Sequence, residues 1–224
     1  MKRCAVLVSG FGSNLQALID AGDKLGGDIA VVVSNRAGVE ALKRAERAGI
    51  TNHHLSPRDF ASRDDFDAAL ARLLDGYSPD LLVLAGYMRI LNPAFVEHFA
   101  DRILNLHPSL LPRYPGLHTH ARVLAAGDRE HGSTVHFVTA ALDGGPAVLQ
   151  YRLRVDPADT EASLSARVLV GEHIILPRAV NWFLTGRLSY QDGQVMLDGG
   201  PLNTPHVIEE VHPPTSATVK PAAT

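Results

Sequence analysis

Short apolar runs alternate with amphipathic stretches along the first half of the chain. Runs of this length are typical of buried strands, and the stretches between them space their apolar residues like helices that cover one face of a sheet. The apolar runs are residues 4–8, 29–34, 81–85 and 102–107, and the amphipathic stretches are 14–21, 39–48 and 93–99. This order predicts an α/β fold with a mostly parallel, doubly wound sheet and helices on both faces.

Two helix starts are marked by side chains that can cap them. Ser62 is followed three residues later by Asp65, which approximates a capping box, and Asn92 precedes Pro93. A polar residue ahead of such a partner, or ahead of proline at the first helical position, is typical of a helix N-terminus. We therefore predict helices that begin directly after Ser62 and Asn92.

The second half of the chain has a different pattern. Its predicted elements are a helix that ends near Leu124, strands over 133–138 and 148–155, and a long helix over 161–184. Pro177 favours a kink in the long helix, because proline has no amide donor and clashes one turn back. Residues 205–224 are rich in Pro, Thr, Ala and Ser without periodicity. We predict a single domain over residues 1–204 and a disordered tail over 205–224.

Composition narrows the classes of function. The 224 residues carry a formal net charge of −3, and no stretch gathers Lys and Arg on one face, so we expect no nucleic-acid partner. No apolar stretch approaches the roughly 20 residues that span a bilayer, so we expect no membrane partner. The single cysteine, Cys4, lies in an apolar run. It excludes an internal disulfide and a cysteine-ligated metal, which favours a cytoplasmic protein.

A glycine-containing loop follows the first predicted strand and leads into a helix. Backbone N–H groups at a helix start point outward, and the helix dipole favours an anion there. Gly10 and Gly12 allow close approach of the backbone, and Ser13 and Asn14 can add side-chain contacts. The loop is therefore a candidate phosphate site, although the same residues also suit a simple tight turn.

A dinucleotide site is the other possibility for this loop. The third glycine of the dinucleotide fingerprint is replaced by Leu15, and the second strand ends in 34–36 without the acidic residue that binds the ribose. These departures disfavour NAD. A 2′-phosphorylated dinucleotide stays as an alternative, because Arg36 could bind its 2′-phosphate.

Asn105 and His107 form the richest candidate for chemistry. Strand side chains alternate, so both project from one face, at the carboxyl end of a parallel strand where ligands of open sheets bind. Asp143 lies in the glycine turn 142–146, whose flexible backbone can bring a carboxylate against an imidazole. An acid, an imidazole and an amide donor suit acyl transfer to an amine. Alternatively, Asn105 and His107 satisfy buried backbone groups.

Four further histidines raise the question of a metal site. They are His118, His120, His131 and His136. The His118-Thr119-His120 segment has no carboxylates at ligand spacing, and His136 alternates within an apolar strand, so structural or substrate-loop roles are favoured. We predict no metal.

Several segments in order resemble one enzyme family. They are 9–16, 86–91, 105–116, 131–132, 135–138 and 142–146. In these segments the chain is similar to the folate-dependent phosphoribosylglycinamide formyltransferases, and the likeness runs from residue 4 to about residue 200. The resemblance implies a Rossmann-like formyltransferase fold, with residues 1–204 as the catalytic domain. It implies transfer of a formyl group from 10-formyltetrahydrofolate, as cosubstrate, to the amine of glycinamide ribonucleotide in purine synthesis. The implied partners are small molecules, and the implied state is a monomer or homodimer.

The resemblance also implies roles for single residues. Asn105 would donate to the formyl oxygen as it becomes an oxyanion, His107 would stabilise that charge as a cation, and Asp143 would hold the charge on His107. The implied nucleotide-binding residues are Gly12, Ser13, Asn14 and Glu172. The implied folate-binding residues are Arg63, Met88, Arg89, Ile90, Leu91, Asn105, Thr139, Ala140, Ala141, Leu142 and Asp143.

Related functions remain as alternatives. Enzymes with the same formyl-transfer core use methionyl-tRNA, an amino sugar nucleotide or water as acceptor, the last being formyltetrahydrofolate deformylases. A tRNA enzyme would be expected to carry a further basic C-terminal domain, and a deformylase an extra N-terminal one. A binding module that has lost its chemistry would be expected to lack part of the Asn105, His107 and Asp143 set.

Overall fold

The computed structural model describes residues 1–210 of the chain. Its strands are β1 Arg3–Val8, β2 Asp28–Ser34, β3 Asn52–His54, β4 Leu81–Leu84, β5 Ile103–His107, β6 Glu130–Phe137, β7 Ala147–Arg154, β8 Leu188–Gln191, β9 Gln194–Leu197, β10 Gly200–Pro201 and β11 His206–Glu209. Its α-helices are α1 Ser13–Ala21, α2 Glu40–Arg47, α3 Arg63–Asp75, α4 Pro93–His98, α5 Thr119–Ala126 and α6 Glu161–Leu184, with 3₁₀ turns at Gly22–Leu25 and Pro57–Asp59.

Eight strands form the main sheet, in the order β11-β7-β6-β5-β4-β1-β2-β3. Strands β5, β4, β1, β2 and β3 pair in parallel, whereas β6 is antiparallel to both of its neighbours. Strands β8, β9 and β10 form a separate small antiparallel sheet. The sheet is therefore mostly parallel, as predicted.

Strand β1 shows why helices cover both faces of the sheet. Residues 4–8 are fully buried, and their side chains alternate between two hydrophobic clusters. Val6 packs into the cluster that contains α1 and α6, whereas Leu7 packs into the cluster that contains α3 and α4. A strand buried on both faces reads as a continuous apolar run rather than an alternating one. The doubly wound α/β prediction is confirmed.

The helix starts also follow the sequence. The Ser62 side chain accepts a hydrogen bond from the Asp65 N–H, and the Asn92 side chain accepts one from the Phe95 N–H. Both predicted caps are confirmed. Helix α6 has the predicted bounds and continues through Pro177 as one element, while the kink at Pro177 stays a prediction.

The predicted tail boundary was wrong. Residues 206–209 form β11, which pairs in parallel with β7 at the edge of the sheet. Arg152 binds Glu209, and Arg167 binds Glu210, so two ion pairs also join this segment to the domain. A four-residue edge strand gives too short an alternation to stand out from its Pro- and Thr-rich surroundings. Residues 211–224 of the predicted tail lie outside the described residues. Over residues 1–210, no helix combines the length and apolar character needed to cross a bilayer.

Candidate active site

The pairing of β5 with β6 places Asn105 opposite His136. The Asn105 side-chain nitrogen Nδ2 lies 3.1 Å from His136 Nε2, and His136 Nδ1 lies 2.8 Å from the Phe137 carbonyl oxygen. Because a carbonyl can only accept, Nδ1 carries the proton, and Nε2 of the neutral ring accepts from Asn105. Burial lowers the pKa of His136, which keeps this ring neutral. The arrangement fixes the Asn105 amide and leaves its second N–H for another acceptor.

His107 ends β5 and lies between a carbonyl and a carboxylate. Its Nε2 donates to the Tyr114 carbonyl oxygen at 2.9 Å, and its Nδ1 lies 3.5 Å from Asp143 Oδ2. The side chains of His107 and Asp143 are 7% and 9% exposed. Both ring nitrogens therefore face acceptors, which suits an imidazolium with two N–H donors.

Asp143 is held in place by its loop, which joins β6 to β7. Its backbone is in the left-handed region with φ 49°, which is uncommon for a residue other than glycine and is a form of strain found at functional sites. The Gly116 N–H donates to Asp143 Oδ2 at 2.9 Å, and Asp143 Oδ1 lies 3.9 Å from His136 Nε2. The predicted trio of Asn105, His107 and Asp143 is thus brought together, with His136 between Asn105 and Asp143.

The glycine loop after β1 ends at the N-terminus of α1. Gly12 has φ 77°, and a Cβ there would lie 2.6 Å from the Ala41 Cβ, so only glycine fits. No side chain caps α1. The first helical N–H groups are therefore not used by a capping side chain, as a phosphate site requires.

Asn14 and Glu172 meet across the interface of α1 and α6. Asn14 Nδ2 donates to Glu172 Oε2 at 2.8 Å. Glu172 is 8% exposed, and burial raises its pKa to about 7, against the lowering effect of the Asn14 bond. The Asn14 oxygen Oδ1 is buried and has no hydrogen-bond partner within residues 1–210. The part of the site between α1 and α6 therefore contains a buried polar atom without a hydrogen-bond partner within the described residues.

Helix α6 presents Glu172 because Gly171 allows close packing. A Cβ at Gly171 would lie 1.9 Å from the Tyr151 ring. The ring of Tyr151, on β7, therefore fills the space that a side chain at residue 171 would occupy.

The residues predicted to bind folate divide into two groups. Met88, Ile90 and Leu142 are 63%, 59% and 57% exposed, which is unusual for large apolar side chains that belong to ordered loops. Leu91 is instead buried in the core, and the Arg89 guanidinium lies 4.5 Å from the centre of the Phe66 ring. Two of these five residues therefore support the loop rather than face outward.

The other predicted folate residues lie in the same two loops or beside them. Arg63, at the start of α3, donates to the Ile90 carbonyl oxygen. Ala140 and Ala141 are exposed, and Thr139 is half-buried, in the segment that leads to Asp143. Exposed apolar groups and backbone therefore line both loops.

Sequence reasoning missed three contributors to the hydrogen-bond network around the predicted trio. His136 orients Asn105, the Tyr114 carbonyl binds His107, and the Gly116 N–H binds Asp143. The register of β5 and β6, which brings His136 to Asn105, depends on long-range pairing. A backbone carbonyl or amide carries no sequence signal, so Tyr114 and Gly116 could not have been found.

The remaining histidines do not gather around a common point. His120 Nδ1 lies 2.8 Å from His131 Nε2, so these two rings are hydrogen-bonded to each other, and His118 precedes α5. Within the part of the chain that the structure describes, no three His, Cys, Asp or Glu side chains are placed to hold a metal ion.

Comparison with known proteins identifies the family. The family model described as formyl transferase matches residues 2–180. The phosphoribosylglycinamide formyltransferase of Escherichia coli (strain K12) is 52% identical over 196 residues, which is 87% of this chain and 92% of that protein. The trifunctional purine biosynthetic protein adenosine-3 of Drosophila melanogaster is 47% identical over 189 residues, 83% of this chain and 14% of that protein.

A solved structure gives the same result. The phosphoribosylglycinamide formyltransferase of Coxiella burnetii superimposes with a TM-score of 0.88 at 50% identity, over 92% of this chain and 98% of that one. Sequence and structure agree over nearly the whole described domain. The chain belongs to the formyl transferase family.

Proposed function

We propose that this chain transfers the formyl group of 10-formyltetrahydrofolate to the amine of glycinamide ribonucleotide, a step of purine synthesis. The names of the relatives support this activity. The observation that carries it is the junction of Asn105, His107 and Asp143, which joins an amide donor, an imidazole and a carboxylate. We assign the catalytic domain to residues 1–210, which include β11.

The reaction joins the substrate amine to the formyl carbon. The amine attacks, the carbonyl oxygen becomes an oxyanion, and the bond from the carbon to N10 of the folate then breaks as N10 takes a proton and the amine loses one. The second N–H of Asn105 Nδ2 can donate to the oxyanion, since His136 holds the first. Preorganised donors of this kind stabilise charge that develops in the transition state.

His107 supplies the positive charge and a proton route. Its Nε2 is held by the Tyr114 carbonyl, and its Nδ1 is 3.5 Å from Asp143, longer than a hydrogen bond. Nδ1 is therefore the ring nitrogen that remains available to the reacting oxygen. Asp143 stabilises the charged ring by its own charge.

The nucleotide binds where the N-terminus of α1 meets α6. Its phosphate binds the backbone N–H groups of Gly12, Ser13 and Asn14 at the N-terminus of α1. Its ribose hydroxyls bind the Glu172 carboxyl group, which also accepts from Asn14 Nδ2. A hydroxyl both donates and accepts, so it can bind this group whether or not the carboxyl carries its proton.

The folate binds between the loops 86–91 and 139–143. The exposed Met88, Ile90 and Leu142 provide an apolar wall for its rings. The chemistry rests on side chains, and we assign no metal to it. We also propose a cytoplasmic enzyme, monomeric or homodimeric, that acts on small molecules and not on nucleic acid or membranes.

One assay tests this function against its alternatives. The purified chain is incubated with 10-formyltetrahydrofolate alone, with glycinamide ribonucleotide added, or with methionyl-tRNA or an amino sugar nucleotide added. Tetrahydrofolate should form only with glycinamide ribonucleotide present. Tetrahydrofolate formed with water alone would identify a deformylase, and no reaction at all would identify a binding module. Asn105→Ala serves as the matched control, since it leaves the nucleotide groove intact.

A further inference from the structure

The loop between β4 and α4 is held by two buried side chains, one that binds the loop at Met88 and one that binds it at Asn92. The Met88 N–H donates to Ser9 Oγ at 2.8 Å, and the Asn92 N–H donates to Asp67 Oδ2 at 2.8 Å. Ser9 and Asp67 are each 1% exposed. Both anchors are therefore shielded from water, where a hydrogen bond is worth more than at the surface.

Asp67 is an unexpected residue at its position. The other buried residues of α3 are apolar, among them Phe66 and Leu70, and a buried carboxylate is costly. Burial raises the pKa of Asp67, while the Asn92 N–H and Arg63 act in the opposite direction. The backbone N–H of Asn92 needs an acceptor at this point. Asp67 supplies it, which an apolar side chain of the same size could not do.

Asp67 also reaches the loop through Arg63. The Arg63 Nε atom lies 3.9 Å from Asp67 Oδ2, and Arg63 Nη2 donates to the Ile90 carbonyl oxygen. The carboxylate thus fixes Asn92 directly and positions the guanidinium that fixes Ile90. The backbone groups of Ile90 and Asn92 are therefore both held through the carboxylate of Asp67.

Ser9 is oriented for its task by Asn35. The Ser9 hydroxyl donates to Asn35 Oδ1 at 2.6 Å, which turns its lone pairs toward the Met88 N–H. The anchor at the start of the loop is therefore as specific as the one at its end.

The two anchors decide which side chains face outward. Between them, Met88 and Ile90 are exposed, while Leu91 is 8% exposed and joins the core. A loop free to rotate would bury its apolar side chains, since exposed apolar surface is unfavourable.

We propose that Ser9 and Asp67 are positioning residues for the folate half of the site. They hold the loop so that Met88 and Ile90 are turned outward before the folate arrives, which removes an ordering cost from binding. This inference rests on the proposed function, because it takes the loop to be a folate-binding surface. Neither residue needs to touch the ligand.

The test separates folate binding from nucleotide binding and from turnover. Asp67→Leu keeps the approximate shape of the side chain and removes the acceptor; it should raise KM for 10-formyltetrahydrofolate roughly tenfold. The KM for glycinamide ribonucleotide and kcat should stay within about twofold. Asp67→Asn keeps one oxygen for the Asn92 N–H and should recover most of the affinity. Ser9→Ala should raise the folate KM about threefold.

Asp65→Asn is the matched control. Asp65 lies on the same turn of α3, is exposed, and contacts the capping Ser62 rather than the loop. It should leave both KM values unchanged. Should Asp67→Leu fail to fold, Ser9→Ala decides the question. An unchanged folate KM in Ser9→Ala, or an equal rise in KM for both substrates, would overturn the proposal.

Calorimetric titration with tetrahydrofolate separates this inference from the proposed function. If the wild type binds tetrahydrofolate but transfers no formyl group, the function is wrong while the anchors are still tested by binding. Weaker binding in Asp67→Leu and Ser9→Ala would support them. Equal binding in the wild type and both variants would overturn them.

Discussion

The β5–β6 region and the α1–α6 region differ in how their polar groups are satisfied. Around β5 and β6, Asn105, His107 and Asp143 each have a partner on the protein, either a side chain or a backbone group. Between α1 and α6, Asn14 and Glu172 have each other, and the Asn14 oxygen lacks a partner within the described residues. In the first region each of these side chains has a partner on the protein, whereas in the second one buried oxygen has none within the described residues.

This difference matches the two tasks of the site. Catalytic donors must be in place before the charge develops, so a satisfied and rigid network is favoured. A binding site can contain polar groups that lack a hydrogen-bond partner until the ligand supplies one, at a cost in the stability of the free protein. The loop 86–91 resembles the catalytic region in this respect, because the buried side chains of Ser9 and Asp67 hold it in position before a ligand binds.

The largest expected effect is on the rate, in the satisfied region. Asn105→Ala removes the donor for the oxyanion and should lower kcat roughly 100- to 1000-fold, with KM for both substrates nearly unchanged. Steady-state kinetics with each substrate varied would measure it. A loss confined to KM would mean that Asn105 binds the ground state and does not stabilise the oxyanion.

The next effect lies in the incomplete region and has two parts. Glu172→Gln should raise KM for glycinamide ribonucleotide about tenfold, because a neutral amide replaces a carboxylate as partner for the ribose.

The same substitution should also stabilise the fold at high pH. The folded pKa of Glu172 is about 7, above its ordinary 4.5. As pH rises from 4.5 to 8, the folded state must lose a proton that the unfolded state has already lost, so the wild type loses stability.

The size of that loss follows from the shift. A rise from 4.5 to about 7 corresponds to about 3 kcal/mol in the free energy of unfolding by pH 8. Urea unfolding at pH 4 and pH 8 should show Glu172→Gln equal to the wild type at the lower pH and more stable at the higher. Asp20→Asn, on exposed α1 surface, is the control. A variant less stable than the wild type at pH 8 would show that Glu172 supports the fold.

The smallest expected effect falls far from the chemistry. A chain that ends at Thr204 lacks β11 and its ion pairs to Arg152 and Arg167, and should lose about 1–3 kcal/mol of stability while kcat stays within twofold. Thermal melting would measure it. A chain that ends at Glu210 keeps β11 and should melt with the full chain. Equal melting of all three chains would restore the predicted tail boundary.

Much of this architecture could be predicted from sequence because it is local. The buried strands read as apolar runs, and the caps at Ser62 and Asn92 read from two or three residues. The placement of Asn105 and His107 on one face of β5 follows from strand periodicity, and Asp143 could be proposed from a glycine turn. These signals depend on neighbours in the chain.

What could not be predicted depends on tertiary pairing. The roles of His136 and Asp67 follow from contacts with Asn105 and Asn92 that only the folded sheet creates. In the sequence, His136 is one polar residue in an apolar strand, and Asp67 is one carboxylate among several at a helix start. Strand β11 was missed for the same reason, since its stability comes from β7.

The central claim is that His107 and Asp143 act as one catalytic unit beside Asn105, and a double-mutant cycle on kcat tests it most directly. Asp143→Asn keeps the shape and removes the charge, and it should lower kcat roughly 100-fold or more. His107→Ala should lower kcat at least as much. The double variant should lose far less than the product of the two, because the residues work together. A near-normal kcat for Asp143→Asn, or fully multiplicative losses, would contradict the account.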